Sequence, residues 1–432
     1  MKLNYTFLYL IPLALFFLLD NMFMELAAPH NPDLQGTLIN TLAKGLAGMS
    51  ILYSAYKFQS MSSSMRLAFF MTGLYLFILA LESYYKYSTF FVYPHVFLKT
   101  LVFFYGIFIY TFYKNNFHLK MHHLVYFILI GFWANVLIIN PGALSISSFT
   151  EHERGVHSTS VYMLIIPFLY FLTQYFFKAK WYSLPMMFFV LLTIFFFQHR
   201  TVWVSTVIVL GIYYLLFRFK TNTPIGIGKI LPIIGVIVAG GLASSAFLFS
   251  MHPEIITKIL ENFSDIENFN KQGTGSWRYN QWLSYLPFIK ENFFLGMRFA
   301  GFELPIQFYR DDIDKPVFED GYGHFFHSFY VDVLFYAGFI GLCLYLIQAF
   351  RVIWKTIKMS RLTENQIMLV SFILSGFVFG LSYILPPYFY ALLGLAIVML
   401  EEDQTEKTSY LVAFAARKKR ELLALRQKLI SF

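Results

Sequence analysis

Cysteine is almost missing from this chain. Cys343 stands alone inside an apolar run, so no internal disulfide can form and a cysteine-based metal centre is not expected. Charge is scarce too. Asp, Glu, Lys and Arg make up 13% of 432 residues, where an ordinary soluble chain carries about a quarter. What fills the gap is apolar: 58% hydrophobic residues, 21% aromatics, 53 Phe and 30 Tyr. No water-soluble domain needs so much apolar surface, so the composition points to an integral membrane protein. Its apolar runs are long and continuous rather than alternating, which favours spanning helices over a barrel.

Runs near bilayer length fall at 5–24, 36–56, 65–84, 91–113, 122–140, 158–178, 181–198, 201–218, 228–250, 327–350, 364–384 and 386–400. The expectation is an all-α polytopic fold of about twelve spans, arranged as four regions. Residues 1–250 carry helices one to nine, 251–326 form one large outer loop, 327–400 carry helices ten to twelve, and 401–432 form a basic amphipathic tail. The first run is expected to stay as a helix rather than be cleaved as a signal, because Ala27-Ala28 follows Glu25 and precedes Pro29.

The net charge of +9 does not imply nucleic acid, because the basic residues sit in short connections and the tail. Lys57 and Arg66, Lys114 and Lys120, Lys178 and Lys180, Arg218 to Lys229, and Arg351 to Arg361 occupy alternate connections. Alternation puts them on one side, the cytoplasm, together with both termini. The long stretch 251–326 then faces outside. Its Trp277, Trp282, Tyr279 and Tyr285 make it unlike a flexible linker, and 276–291 has an amphipathic pattern that would fold back on the membrane. The tail suits an in-plane anchor on anionic lipid.

The residues that can carry chemistry lie at that outer side. His327 stands at the mouth of an apolar helix, where a neutral imidazole could take a proton from a hydroxyl or simply bond a loop carbonyl. Arg200 opens a helix after a short outer turn, and Arg278 sits in the loop. Each can hold phosphate through permanently charged, bidentate contacts. The bland alternatives are a headgroup-level cap for Arg200 and a loop ion pair for Arg278. Arg154, in another outer loop, is a third phosphate candidate or a solvated charge. Lys99, inside an apolar run, would snorkel outward or meet substrate. His324, three residues before His327, shares its side if the segment is helical. Asp311-Asp312-Ile313-Asp314, followed by Glu319-Asp320, contains an Asp-x-Asp element that could hold a divalent cation. A solvated acidic turn is the reading taken, and no metal is assigned.

His327-Ser328, nine residues, then Gly338-Phe339-Ile340-Gly341 resembles the histidine–glycine signature of the bacterial O-antigen ligase family, whose superfamily includes O-antigen polymerases. His199-Arg200-Thr201, Ser276-Trp277-Arg278, and the stretch from Pro287 to Gly301 with its Gly296 resemble further family features in the same order. The resemblance implies a fold related to the GT-C glycosyltransferases, with a large periplasmic loop between helices nine and ten. It implies a bacterial inner-membrane location. It also implies transfer of a glycan from undecaprenyl pyrophosphate to a lipid A–core sugar hydroxyl, with inversion and without cofactor. Arg200, Arg278 and His327 would be catalytic, and Arg154, His324, Ser328 and Lys99 would line the substrates. A polymerase shares the donor but takes a glycan repeat as acceptor. A lipid-linked sugar transporter or flippase, or a noncatalytic scaffold, are the alternatives outside the enzyme class.

Overall fold

A computed structural model describes residues 5–114, 118–145, 148, 155–223, 228–235, 273–310, 315–316 and 323–401, with single positions between 257 and 268. It is helical apart from a two-residue antiparallel ladder of β1 (Tyr309–Arg310) and β2 (Lys315–Pro316). The helices are α1 (Ile11–Phe17) and α2 (Asn21–Ala27), α3 (Pro32–Tyr56) and α4 (Ser63–Tyr87). Next come α5 (Pro94–Tyr113), α6 (Met121–Ile139), α7 (Ser158–Lys178), α8 (Ser183–Phe196) and α9 (Arg200–Lys220). The outer segment supplies α10 (Gly273–Glu291) and α11 (Arg298–Glu303). The chain then continues through α12 (Phe329–Lys358), α13 (Glu364–Ser382) and α14 (Pro387–Glu401).

Among the described residues seven helices are long and apolar enough to cross a membrane, or eight if a bent pair counts as one span. The protein is therefore a multi-pass helical membrane protein. The expected runs that fall on described residues are helical, but α8 and α14 are shorter than a typical span. The ninth run is described only over 228–235.

Local chemistry sets the element boundaries. The first run does not stay straight. Asp20 accepts a hydrogen bond from the Met22 amide at 3.3 Å, starting a new helix bent by 97° from the preceding one, as a side-chain N-cap does. Asn31 caps α3 through the Leu34 amide at 3.0 Å, ahead of Pro32 in the first turn, where a missing N–H costs nothing. Thr363 and Gln366 form a capping box at the head of α13.

Two junctions orient the helices around the outer site. The Leu362 amide bonds the Lys220 carbonyl at 2.9 Å, and Lys220 Nζ bonds the carbonyls of Ile357 and Met359. The end of α9 thus meets the start of α13, so the two packed helices run antiparallel. The Phe329 amide bonds the Tyr383 carbonyl at 3.2 Å, joining the head of α12 to the foot of α13. Arg200, Tyr383 and His327 therefore share one end of the bundle.

Candidate active site

The residues just before α12 are not helical, and from His324 to Ser328 their exposure alternates. His324, Phe326 and Ser328 are buried, while Phe325 and His327 are exposed. An extended chain sends successive side chains to opposite faces. His327 consequently points out of the bundle and His324 points in. The expectation that the two share a side fails because the segment has no helical turn.

His324 is fully buried and both ring nitrogens are used. The Leu304 carbonyl lies 2.8 Å from Nε2, which must donate to it. Nδ1 can then accept from the Tyr285 hydroxyl at 2.7 Å. Its main-chain amide meets the Tyr336 hydroxyl at 2.8 Å. Burial lowers the imidazole below the ordinary histidine range, against the opposing Leu304 bond. His324 is therefore a brace that ties the loop to α10 and α12, not a lining group. Ser328 faces inward as well. It is the N-cap of α12, accepting from the Val331 amide and donating to the Gly380 carbonyl at 3.4 Å, and it is buried.

Helix α10 lies over this loop. Its Gln281, Tyr285 and Ile289, spaced by one turn, are buried. The Tyr285 ring packs edge-on to Phe326 at 4.9 Å and Phe335 at 5.4 Å. One turn earlier the helix presents Trp277 and Arg278. The His327 ring stands perpendicular to Trp277 at 5.1 Å. The Arg278 guanidinium lies 5.7 Å from the Trp277 ring and 5.0 Å from the Tyr383 ring. The structure thus brings His327 and Arg278 to one indole, and puts Arg200 at the same end of the bundle.

Three polar atoms on this part of α10 are buried without a hydrogen-bond partner among the described residues: Arg278 Nε, Gln281 Oε1 and Trp282 Nε1. Spacings of three and four residues put them on one helix face. Buried polar atoms are nearly always paired, so a cluster of orphans asks for a ligand.

Lys99 does not snorkel. It pairs with Asp332 of α12 at 2.7 Å, with the two side chains 9% and 1% exposed. Its ammonium also lies 5.4 Å from the Phe325 ring and 5.1 Å from Tyr336, and the Asp332 carboxylate takes a bond from the Phe326 backbone. The pair grips the loop two residues ahead of His327, which makes Lys99 and Asp332 positioning residues. Asp332 escaped the sequence reading. Its signal was an acid in one apolar run and a lysine in another, a pairing that membrane burial favours. Trp277, Tyr383 and Tyr285 carried no signal beyond their aromatic character.

Arg154 and the acidic cluster Asp311–Asp314 lie outside the described residues. Among the described residues no three His, Cys, Asp or Glu side chains converge as a metal site.

Comparison with known families matches residues 185–346 to O-antigen ligase. Over that segment the chain is similar to the O-antigen ligase family. The matched segment contains Arg200, Arg278, His327 and the glycine pair 338 and 341. No curated protein matches the chain. The match supports an O-antigen ligase or polymerase type of function, with glycosyltransferase-like activity.

Proposed function

We propose that this chain transfers a glycan from undecaprenyl pyrophosphate to a sugar hydroxyl of lipid A–core. The observation that carries this reading is the orphaned polar face of α10 beside His327. A permanently charged guanidinium and two uncharged groups in a row suit a diphosphate joined to a sugar. Arg278, with Arg200 from α9, would hold the negative charge that grows on the leaving pyrophosphate. Gln281 and Trp282 would bond sugar hydroxyls. His327 would take the proton from the acceptor hydroxyl. The acceptor oxygen bonds to the anomeric carbon while the carbon–oxygen bond to phosphate breaks, and undecaprenyl pyrophosphate leaves with the electron pair. Attack from the face opposite the leaving group inverts that carbon. The donor already stores the energy, so the scheme needs neither nucleotide nor metal.

The reading extends to architecture. About twelve spans of GT-C-related arrangement would put the His327 end in the periplasm of the inner membrane, with 251–326 as the loop over the sugars. The basic residues at the other end of α12 support that orientation.

The test is transfer by purified protein in detergent with excess chelator, offered a polyprenyl-pyrophosphate glycan and lipid A–core. Glycan on lipid A–core supports the ligase. Longer polyprenyl-linked chains instead would assign a polymerase. Neither product from folded protein would favour a transporter.

A further inference from the structure

The far end of α12 holds a second cluster of charge that the transfer reading does not use. Five groups converge on Glu401, among them the Ser62 hydroxyl at 3.3 Å. Arg351 Nη2 pairs with the Glu401 carboxylate and also reaches Ser62 Oγ at 2.6 Å. Tyr110 donates its hydroxyl at 2.6 Å, and Lys355 and Lys114 stand at 3.7 and 3.9 Å. One carboxylate is thus shared by three cations. Among the described residues Arg351 and Lys355 have that one carboxylate between them, and donors are left over. Arg351 Nε and Nη1 are buried without a hydrogen-bond partner among the described residues, and a guanidinium cannot shed its proton to escape the cost.

Beside this network a cleft of about 670 Å³ opens between the head of α4 and the last turns of α12. It is lined by Ser64, Phe350, Arg351, Trp354, Lys355 and Lys358. Lys358 has no acidic partner among the described residues, and its ammonium rests 4.5 Å from the Trp354 ring. Phe350, Trp354 and Ile357 are exposed on the same stretch of helix. The cleft therefore joins positive charge to an apolar, lipid-facing flank at a helix end.

We propose that this cleft binds the phosphate of an anionic membrane lipid, with Arg351, Lys355 and Lys358 on the headgroup and Phe350 and Trp354 along the acyl chains. A free phosphate offers the same charge but has nothing to place on the aromatic flank. The cleft lies at the opposite end of α12 from His327, so a failed transfer assay says nothing against it.

The experiment uses the full chain in nanodiscs of equal phosphatidylglycerol and phosphatidylcholine. Lipids retained on release are counted by native mass spectrometry. The expected result is preferential retention of phosphatidylglycerol, falling roughly fivefold with each of Lys355→Gln and Lys358→Gln and unchanged in Lys290→Gln at the other end. Lys355 shares Glu401, and if its variant does not fold the exposed Lys358 decides alone. No lipid preference, or a preference that survives Lys358→Gln, overturns the proposal. So does stabilisation by inorganic phosphate without any lipid preference, which would assign the cleft to a soluble anion.

Discussion

Arg278 illustrates how one side chain combines charge with geometry. Its guanidinium lies near both the Trp277 and Tyr383 rings, and a lysine there would keep the charge but lose bidentate donation. Arg278→Lys is expected to slow transfer roughly 100-fold while leaving the melting temperature near that of the unaltered chain. Lys99 and Asp332 behave differently because their charges satisfy each other. Removing one strands the other in an apolar interior. Lys99→Met or Asp332→Leu should each cost about 3–5 kcal/mol, and the double substitution should recover most of it, as denaturant titration in detergent would register. Two histidines outside the spans give opposite pH limbs. Burial lowers His324, so its contribution to stability is complete above about pH 6.5 and fades as pH falls through the lowered value. The hydrogen bond that His157 donates to the Glu25 carboxylate raises the imidazole's pKa, the two side chains lying 3.3 Å apart. That contribution is complete below about pH 6.5 and fades as pH rises through the raised value. Melting curves across pH should lose their acid limb in His324→Gln and their alkaline limb in His157→Gln.

Helix α12 is broken where the glycine signature begins. Gly338 takes φ +63° inside it, a region that favours glycine. The break frees the amides of Phe339 and Ile340, which pair with the carbonyls of Phe293 and Phe294 at 2.8 and 3.1 Å. The Met297 amide pairs with the Phe335 carbonyl at 2.7 Å. Irregular backbone at membrane depth survives only when protein satisfies it, and here the segment after α10 does so. A Cβ on Gly296, itself at φ +69°, would come within 2.6 Å of the Gly338 nitrogen. Gly296→Ala and Gly338→Ala should therefore loosen α10 from α12, lower the melting temperature and lose transfer together, whereas Gly36→Ala, facing open space, should do neither. The sequence made the glycines visible as a motif and α10 visible as a pattern. It did not reveal that the motif is a lock between them, because the contact joins residues some forty positions apart. The 97° bend at Asp20 was equally hidden. Composition marks an apolar run but not the point where a side chain recaps the backbone.

At the scale of the whole molecule, hydropathy made the membrane class legible, and charge alternation supplied an orientation. The non-helical loop before α12 was not legible, since nothing in Phe325 to His327 marks a turn. That loop decides which histidine faces out. The orientation itself is open to a direct check. In a Cys343→Ala background, cysteine placed at Phe325 should react with a membrane-impermeant thiol reagent from the periplasmic side, and cysteine at Lys358 should not. The central claim is that His327 and the α10 face form a glycosyl-transfer site. It is tested most directly by the transfer rate of folded His327→Ala against the unaltered chain, with bound donor measured in both. A loss of roughly 100- to 10,000-fold with donor still bound is the expected result. Transfer at the full rate would contradict it.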